Sequence, residues 1–506
     1  MNNHEREAMN ERDFNNILER NGSDVPSEDV CTDVTPWRKA MDYVLFGIAL
    51  CSITLNICGL NYILPTIGMV LSLLGFRTLR KENIWFRNCF ILTVIRTAYH
   101  FSILILNTTI LQKTIFTSQT TSNLTTVNFL LQIAEFFCLW CGLRAVQRKA
   151  NLSPKAGGAF ALIIWYVLMG ILSIIRYNNL MIIVSMIIGY IFIIHNIYKH
   201  SKELDETRCS IQIISTKVTD LCIVFILVSI LIIGCTLGYL FGGSYPMDWN
   251  TVDSSEHTKV EKIKNNLVEL GFPENILNDL TPEDISACDG ALQVVVHTTD
   301  TPMENLKLIP TYYDEEENNN TQETDSDTTK FCLTDIGVQL PGKQERWMIV
   351  HHFLWTANPG FYGTESIQLW PAYQNDPDGW SSDSKITGRL LYDKNGETMV
   401  APYYSLEKQT FSSDSILWDN QTSTDVFATF SMPRQGKNHR GYVAYSTIAI
   451  QDDFFINSWV NYTHQQSWLQ YPAMTAMEHR TTYTFDNEAF ITVQNAFQFS
   501  QDEQWE

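Results

Sequence analysis

The sequence lacks the short motifs that identify several large enzyme classes. It contains no H-E-x-x-H zinc motif, no G-x-S-x-G nucleophile turn and no complete Walker phosphate loop. These absences weigh against an enzyme. They leave open a glycosidase, which needs only two suitably placed carboxylates among the many that the chain carries.

Acidic side chains are scarce in the middle of the chain, although the whole sequence has a formal net charge of −20. Residues 38–243 carry seven Asp and Glu against seventeen Lys and Arg. Residues 1–37 carry nine against three, and residues 244–506 carry thirty-nine against fifteen. A basic, apolar middle between acidic, polar ends is typical of an integral membrane protein. The acidic C-terminal part would repel phosphate groups, so we expect no nucleic acid partner.

Long apolar runs recur between Met41 and Phe241. A hydrocarbon layer about 30 Å thick is crossed by a helix of about 20 mostly apolar residues. The sequence therefore predicts a multi-pass α-helical membrane domain over residues 38–243, with the lipid bilayer as its partner and about seven spans. These spans lie near residues 42–58, 61–76, 89–111, 127–145, 158–175, 180–198 and 219–241. The first two are short, and they could instead form a hairpin that reaches only part-way through the bilayer.

Positive charge alternates between the loops that join these spans. Lys and Arg are concentrated before the first span and in the second, fourth and sixth loops, whereas the other loops carry only Lys113 and Arg176. Because loops rich in positive charge stay in the cytoplasm, the pattern predicts a plasma-membrane protein with a cytoplasmic N-terminus and an extracellular C-terminal domain. Residues 1–37 show no cleavable signal peptide, and their composition predicts a disordered acidic cytoplasmic tail.

Three ionisable side chains fall inside the predicted spans. Arg96 and His100 are four residues apart and share one helical face, and Glu135 lies at a similar depth in the next span. Charges at membrane depth are costly, which makes these residues candidates for a relay or a substrate site. The competing interpretation is a structural ion pair that holds two helices together. The C-x-x-C motif of Cys138 and Cys141 in the same span is better explained as two buried thiols.

The sequence predicts short helices in residues 244–290. A helix closes on Gly271, a second follows Pro273, and Thr281-Pro-Glu-Asp284 has the pattern of a helix N-cap. We expect a small helical spacer module between the last span and the domain that follows.

From residue 291 the hydrophobic period changes to two, with turn signals such as Asp393-Lys-Asn-Gly396 between the runs. No helices alternate with these runs. Residues 291–506 are therefore predicted to form one extracellular all-β domain, an antiparallel β-sandwich of the jelly-roll kind. The predicted strands are residues 292–298, 306–313, 331–339, 347–355, 366–373, 386–392, 398–404, 426–432, 442–450, 481–485 and 490–497.

Nine of the thirteen tryptophans lie in the C-terminal part. Indole rings stack on the C–H faces of sugars, so an aromatic-rich sandwich favours carbohydrate binding. Tryptophans in predicted strands are expected in the core, and those in predicted loops are the candidate ligand contacts. The candidates are Trp380, Trp418, Trp459 and Trp468.

Cys288 and Cys332 are the only cysteines of residues 244–506. In an oxidising compartment they could form a disulfide. Asp376 and Asp378, followed by Gly379, resemble the start of a calcium loop, but no bidentate Glu follows at the proper distance. A tight turn explains them better, so we expect no resident metal or cofactor, with calcium near these two residues as the alternative.

These observations lead to three hypotheses about function. The favoured one is a plasma-membrane protein that presents an acidic, aromatic-rich β-sandwich outside the cell to bind a cell-wall glycan, another ligand or a partner surface protein. The second is a transporter or membrane sensor that works through Arg96, His100 and Glu135. The third is an extracellular hydrolase. No catalytic residue is assigned.

Overall fold

The computed structural model describes residues 35–52, 59–112, 118–175, 180–207, 218–252, 258–302, 330–369, 380–382, 385–413, 421–450, 455–482 and 488–499. The chain divides into two compact units. One comprises residues 1–104 and 116–231, and the other comprises residues 105–115 and 232–506.

Six helices of the described part are long and apolar enough to cross a membrane, which indicates a membrane-spanning protein. These are α2 (Leu60–Leu79), α3 (Ile84–Leu106), α4 (Ser118–Lys149), α5 (Gly157–Ile175), α6 (Leu180–Glu206) and α7 (Asp220–Phe241). Many of their Ile, Leu and Val side chains are exposed, as they would be in contact with lipid.

Within the described residues the count is six, not the predicted seven. The first predicted span, residues 42–58, overlaps α1 (Pro36–Ser52), and residues 53–58 lie outside the described part. Helix α1 packs closely along α2. A Cβ at Gly47 would lie 2.7 Å from the carbonyl oxygen of Gly68, and a Cβ at Gly68 would lie 2.7 Å from that of Gly47. The two glycines therefore let the helix backbones touch.

The segment after α7 contains three short helices. It begins with a two-residue strand, β1 (Asn250–Thr251), and continues with α8 (Thr258–Glu269), α9 (Glu274–Leu277) and α10 (Pro282–Ala287). Thr281 is the N-cap of α10 and accepts a hydrogen bond from the backbone N–H of Asp284, with Pro282 in the first turn.

The C-terminal part contains two antiparallel sheets. The larger has the order β1-β8-β7-β11-β4-β3-β2, with β6 also paired to β11, and the smaller has the order β13-β12-β5-β10-β9. The strands are β2 (Gln293–Pro302), β3 (Lys330–Leu340), β4 (Arg346–Trp355), β5 (Glu365–Leu369), β6 (Trp380–Ser382), β7 (Thr387–Lys394), β8 (Glu397–Ala401), β9 (Ser405–Ser413), β10 (Gln421–Phe430), β11 (Lys437–Ala449), β12 (Ile456–Gln465) and β13 (Phe490–Phe499).

One hydrophobic cluster is shared by the two sheets. It includes Trp347, Trp355 and Phe331 from the larger sheet and Tyr462 and Phe497 from the smaller one, all almost completely buried. The tryptophans predicted in strands 347–355 therefore fill the core, as expected. The two sheets pack face to face around these rings.

The helical segment covers the opposite face of the larger sheet. Leu267, Ile276 and Leu277 pack against Ile336 and Met348, whose side chains alternate with those of the sandwich core. This segment thus shares a hydrophobic cluster with the sheet. Asp279 and Asp284 attach it further: Arg440 donates to Asp279 at 2.9 Å, and the hydroxyl of Thr387 donates to Asp284 at 2.6 Å.

Several predicted strands differ from the structure. The strand predicted at 481–485 is wrong at its start, because Thr481 ends a helix, α11 (Ala476–Thr481), and residues 483–487 lie outside the described part. The strand predicted at 306–313 also lies outside it. Four strands were not predicted at all, namely β1, β6, β9 and β12.

Candidate functional site

The predicted pair of Arg96 and Glu135 is present between α3 and α4. Nη1 of Arg96 lies 2.5 Å from Oε2 of Glu135, and both side chains are buried. The hydroxyl of Thr93 donates to Oε1 of Glu135 at 3.1 Å, and Nη2 of Arg96 donates to the side-chain oxygen of Gln132. Both carboxylate oxygens are thus occupied by protein donors, as a structural ion pair requires.

His100 does not join this pair. Its Nε2 lies 3.1 Å from the hydroxyl of Thr66 on α2, although it shares a helix face with Arg96. The polar contacts of Arg96 extend instead through Gln132 to Tyr166. The hydroxyl of Tyr166 is 3.4 Å from Nε2 of Gln132 and 2.7 Å from the hydroxyl of Ser52. The structure therefore brings two of the three predicted residues together and places the third in a separate contact.

A second polar cluster lies between the two sheets and was not predicted. Nδ1 of His351 is 2.6 Å from Oδ1 of Asp335, and Nε2 of the same ring is 2.6 Å from the hydroxyl of Ser458. The hydroxyl of Tyr445 lies 2.6 Å from that of Ser458, and the amide of Asn495 donates to the other oxygen of Asp335 at 2.5 Å. This connectivity is that of a Ser-His-Asp triad.

The surroundings of Ser458 argue against a nucleophile. Asp335, His351 and Ser458 are at most 2% exposed, so a substrate carbonyl has no route to the hydroxyl. Ser458 also lies within β12, where it is paired with Phe497 of β13, so its backbone belongs to the sheet and not to a loop that could form an oxyanion hole. We interpret the cluster as a polar connection between the sheets.

His351 and His352 separate as the sequence predicts for neighbouring strand residues. His351 faces the sandwich core, whereas Nε2 of His352 lies 3.0 Å from Asp279 of the helical segment on the other face. Over the described ranges no group of three or more His, Cys, Asp and Glu side chains is placed to hold a metal ion. Asp376 and Asp378 lie outside those ranges.

The four candidate tryptophans have different surroundings. Trp380 begins the short strand β6 and packs against the sandwich core, so its predicted loop position is wrong. Trp459 is also in a strand, β12, and not in a loop. Trp468 does lie in a loop and is 41% exposed. Trp418 lies outside the described residues.

Trp459 lies on the face of the smaller sheet that points away from the core. Its neighbours in sequence, Ser458 and Val460, face the core, so the indole projects to the opposite side. The residue paired with it on β13 is Ala496, whose small side chain leaves room beside the ring. Nε1 of Trp459 donates to Asn457 at 2.5 Å, and the amide of Gln498 donates to the same oxygen at 2.9 Å.

The described side chains immediately beside Trp459 on the outer face of β12 and β13 are uncharged. Asn457 and Trp459 are half-buried, and Gln494 and Gln498 of β13 are exposed beside them. We call Asn457, Trp459, Gln494, Ala496 and Gln498 the Trp459 platform. A flat aromatic side chain flanked by amides offers stacking together with hydrogen-bond donors and acceptors.

The structure shows no disulfide between Cys288 and Cys332. Cys288 packs in the cluster of the helical segment with Ile336. Cys332 is four residues earlier on β3, which places it about 13 Å along the strand from Ile336. A disulfide needs Cα atoms within about 7 Å of each other.

No protein-family model matches the sequence, and no curated protein matches it significantly. The candidate sites are therefore judged on their geometry alone.

Proposed function

We propose that this is a plasma-membrane protein whose C-terminal β-domain lies outside the cell and binds a carbohydrate on the Trp459 platform. The observation that carries the proposal is the indole of Trp459 on the outer face of the smaller sheet, opposite Ala496 and between amide side chains. The C–H faces of a sugar ring would stack on the indole, and its hydroxyls would bond to Asn457, Gln494 and Gln498.

Charge supports an uncharged or cationic ligand over an anionic one. Residues 244–506 carry thirty-nine acidic and fifteen basic side chains, and the Trp459 platform itself has no basic group. A neutral glycan of the cell wall or surface fits these conditions. A partner surface protein is the alternative ligand for the same face, since aromatic side chains are enriched at protein interfaces.

The proposed orientation of the protein in the membrane is based on the charges of the loops. The alternation of Lys and Arg between successive loops supports a cytoplasmic N-terminus and an extracellular β-domain. Two antiparallel sheets packed on one core support a jelly-roll-like sandwich as the fold of that domain.

The test is binding of the full-length protein, in lipid nanodiscs, to an array of neutral and charged glycans. We expect wild type and Trp468→Ala to bind the same glycans, and Trp459→Ala to lose at least tenfold in affinity. Gln498→Ala should weaken binding less, because it removes one hydrogen-bonding group and leaves the ring in place. If no glycan binds wild type, or if Trp459→Ala binds as well as wild type, the proposal is wrong.

The second candidate function is transport or sensing through Arg96 and Glu135. One observation favours it: Nε of Arg96 is buried without a hydrogen-bond partner among the described residues, so the guanidinium has unused donor capacity inside the membrane part. If this function is correct, joint apolar replacement of Arg96 and Glu135 abolishes it while the protein still folds. An extracellular hydrolase remains the third hypothesis, and activity of the full-length protein on polysaccharides or peptides would support it.

A further inference from the structure

The loop after β12 carries an exposed apolar surface. Trp468, Leu469 and Tyr471 are 41%, 64% and 40% exposed. The chain from Gln465 to Met477 has no charged side chain, although the C-terminal part as a whole is strongly acidic. Exposed aromatic and aliphatic side chains grouped in this way mark a contact with another apolar or interfacial surface.

This loop is attached to the C-terminal end of the last membrane helix. The hydroxyl of Tyr239, in the final turn of α7, donates to the carbonyl of Gln470 at 2.7 Å. The rings of Tyr239 and Trp468 meet edge to face with centroids 5.8 Å apart. These residues belong to the same compact unit, which includes residues 232–506.

The loop is also attached just beyond the end of α3. The backbone N–H of Ala473 donates to the carbonyl of Asn107 at 2.6 Å, and the side-chain amide of Asn107 lies 3.4 Å from the hydroxyl of Tyr471. Residues 105–115 belong to the same compact unit as the loop. Two apolar helices that cross a membrane thus end beside these residues.

The level of the loop relative to the bilayer follows from α7. This helix has 22 residues, or about 33 Å, which is close to the thickness of the hydrocarbon layer. Its last turn therefore lies near the lipid headgroups, and Phe241 there is 81% exposed. Trp and Tyr are enriched at this depth, because their rings contact lipid while their polar atoms reach water.

We propose that Trp468, Leu469 and Tyr471 form an interfacial anchor that enters the headgroup region of the bilayer and fixes the β-domain against the membrane surface. The occupant of this apolar surface is lipid, because the surface continues from the exposed side chains at the end of α7. The absence of acidic groups between Gln465 and Met477 removes the repulsion that an anionic lipid surface would exert.

Phe455 offers a matched control on the same strand. It is 61% exposed, similar to Leu469, and it immediately precedes β12, whereas the loop follows the other end of that strand. The ten residues of β12 separate the two positions by about 30 Å. An apolar side chain at 455 is thus equally available to a reagent but far from the exposed apolar loop.

The first experiment places the photoreactive residue benzoylphenylalanine at position 469 or 455 of the full chain, in nanodiscs of phosphatidylcholine and phosphatidylglycerol. We expect irradiation to give a phospholipid adduct at 469 and at least tenfold less at 455. Equal adduct yields at the two positions, or none at 469, would overturn the proposal.

The second experiment keeps the chain closer to wild type. Brominated phospholipids quench tryptophans that lie near them. We expect Trp468→Phe to reduce the quenched fraction of the fluorescence and Trp459→Phe not to reduce it. An unchanged fraction in Trp468→Phe contradicts the anchor even if the variants of the first experiment fail to fold.

Discussion

The imidazole of His464 lies beside the carboxylate of Glu365 inside the β-sandwich, with Nδ1 2.9 Å from Oε1. The two residues are paired on neighbouring strands and both are at most 2% exposed. The hydroxyl of Tyr462 donates to the other oxygen of Glu365 at 2.9 Å, and the indole of Trp355 donates to Tyr462 at 3.1 Å. Burial raises the pKa of the Glu365 carboxyl, although His464 and Tyr462 oppose the rise.

This raised pKa predicts the direction of a pH effect. A carboxyl that holds its proton more tightly in the folded state stabilises the fold at low pH. That contribution is lost as the pH rises above the ordinary value of 4.5 and through the raised one. Glu365→Gln keeps an acceptor for Tyr462 but cannot ionise. We therefore expect its stability, relative to wild type, to increase between pH 4 and pH 8, measured as the thermal unfolding midpoint. A constant difference across this range would contradict the prediction.

The connection between the sheets at Ser458 can be tested against a serine in the same sheet. Ser458→Ala leaves His351 and Tyr445 each without one buried hydrogen bond, which should cost about 1–3 kcal/mol of unfolding free energy. Ser366 is also buried, but its hydroxyl has no hydrogen-bond partner in the described ranges. Ser366→Ala should therefore be neutral or stabilising in the same denaturant titration. Equal losses in the two variants would rule out a special role for the Ser458 cluster.

The absence of a disulfide between Cys288 and Cys332 in the structure predicts a simple chemical result. Under denaturing, non-reducing conditions, an alkylating reagent should modify both Cys288 and Cys332, and prior reduction should not change the mass of either peptide. In the native protein Cys288 should react slowly, because burial raises the pKa of its thiol to about 12 and leaves little thiolate. Peptide mass spectrometry measures both results. A peptide pair that appears only after reduction would show a disulfide.

The ion pair in the membrane part makes a prediction about single and joint substitutions. Arg96→Met or Glu135→Leu alone leaves an uncompensated buried charge and should cost about 3–5 kcal/mol. The joint substitution removes both charges and should cost less than either single change. Thermal unfolding in nanodiscs tests this, with Thr66→Ala as a control that removes the hydroxyl contacts to His100 and to the carbonyl of Tyr62 and leaves the ion pair in place. A joint loss equal to the sum of the single losses would show that the two residues act independently.

The sequence predicts long apolar segments better than it predicts strands whose core-facing residues are partly polar. The six long helices follow from continuous apolar runs, and β3, β4 and β11 follow from alternating patterns with aromatic and branched residues. β12 was not predicted because two of its core-facing residues, Ser458 and His464, are polar and interrupt the alternation of apolar and polar residues. Their partners Asp335, His351 and Glu365 lie far away in sequence, so nothing local indicates that these polar groups are satisfied.

A local capping signal also explains one of the wrongly predicted strands. The pattern Thr475-Ala-Met-Glu478 is a complete capping box and begins the helix that ends at Thr481. This signal is visible in the sequence, and it contradicts the strand predicted from residue 481.

The Trp459 platform cannot be predicted from local sequence in the same way. It depends on Ala496 and Gln498 of a strand about forty residues later, and only the register of β12 with β13 brings them beside the indole.

The contacts of Asn107 have a consequence for the biosynthesis of the protein. Asn107 and Tyr471 are 364 residues apart in the chain. At the usual rate of translation, about 20 to 70 s pass between the synthesis of the segment after α3 and the synthesis of the loop that it contacts. The end of α3 therefore stays without these contacts while most of the polypeptide is made. Its association with the loop is among the last steps by which the newly made chain reaches its native state.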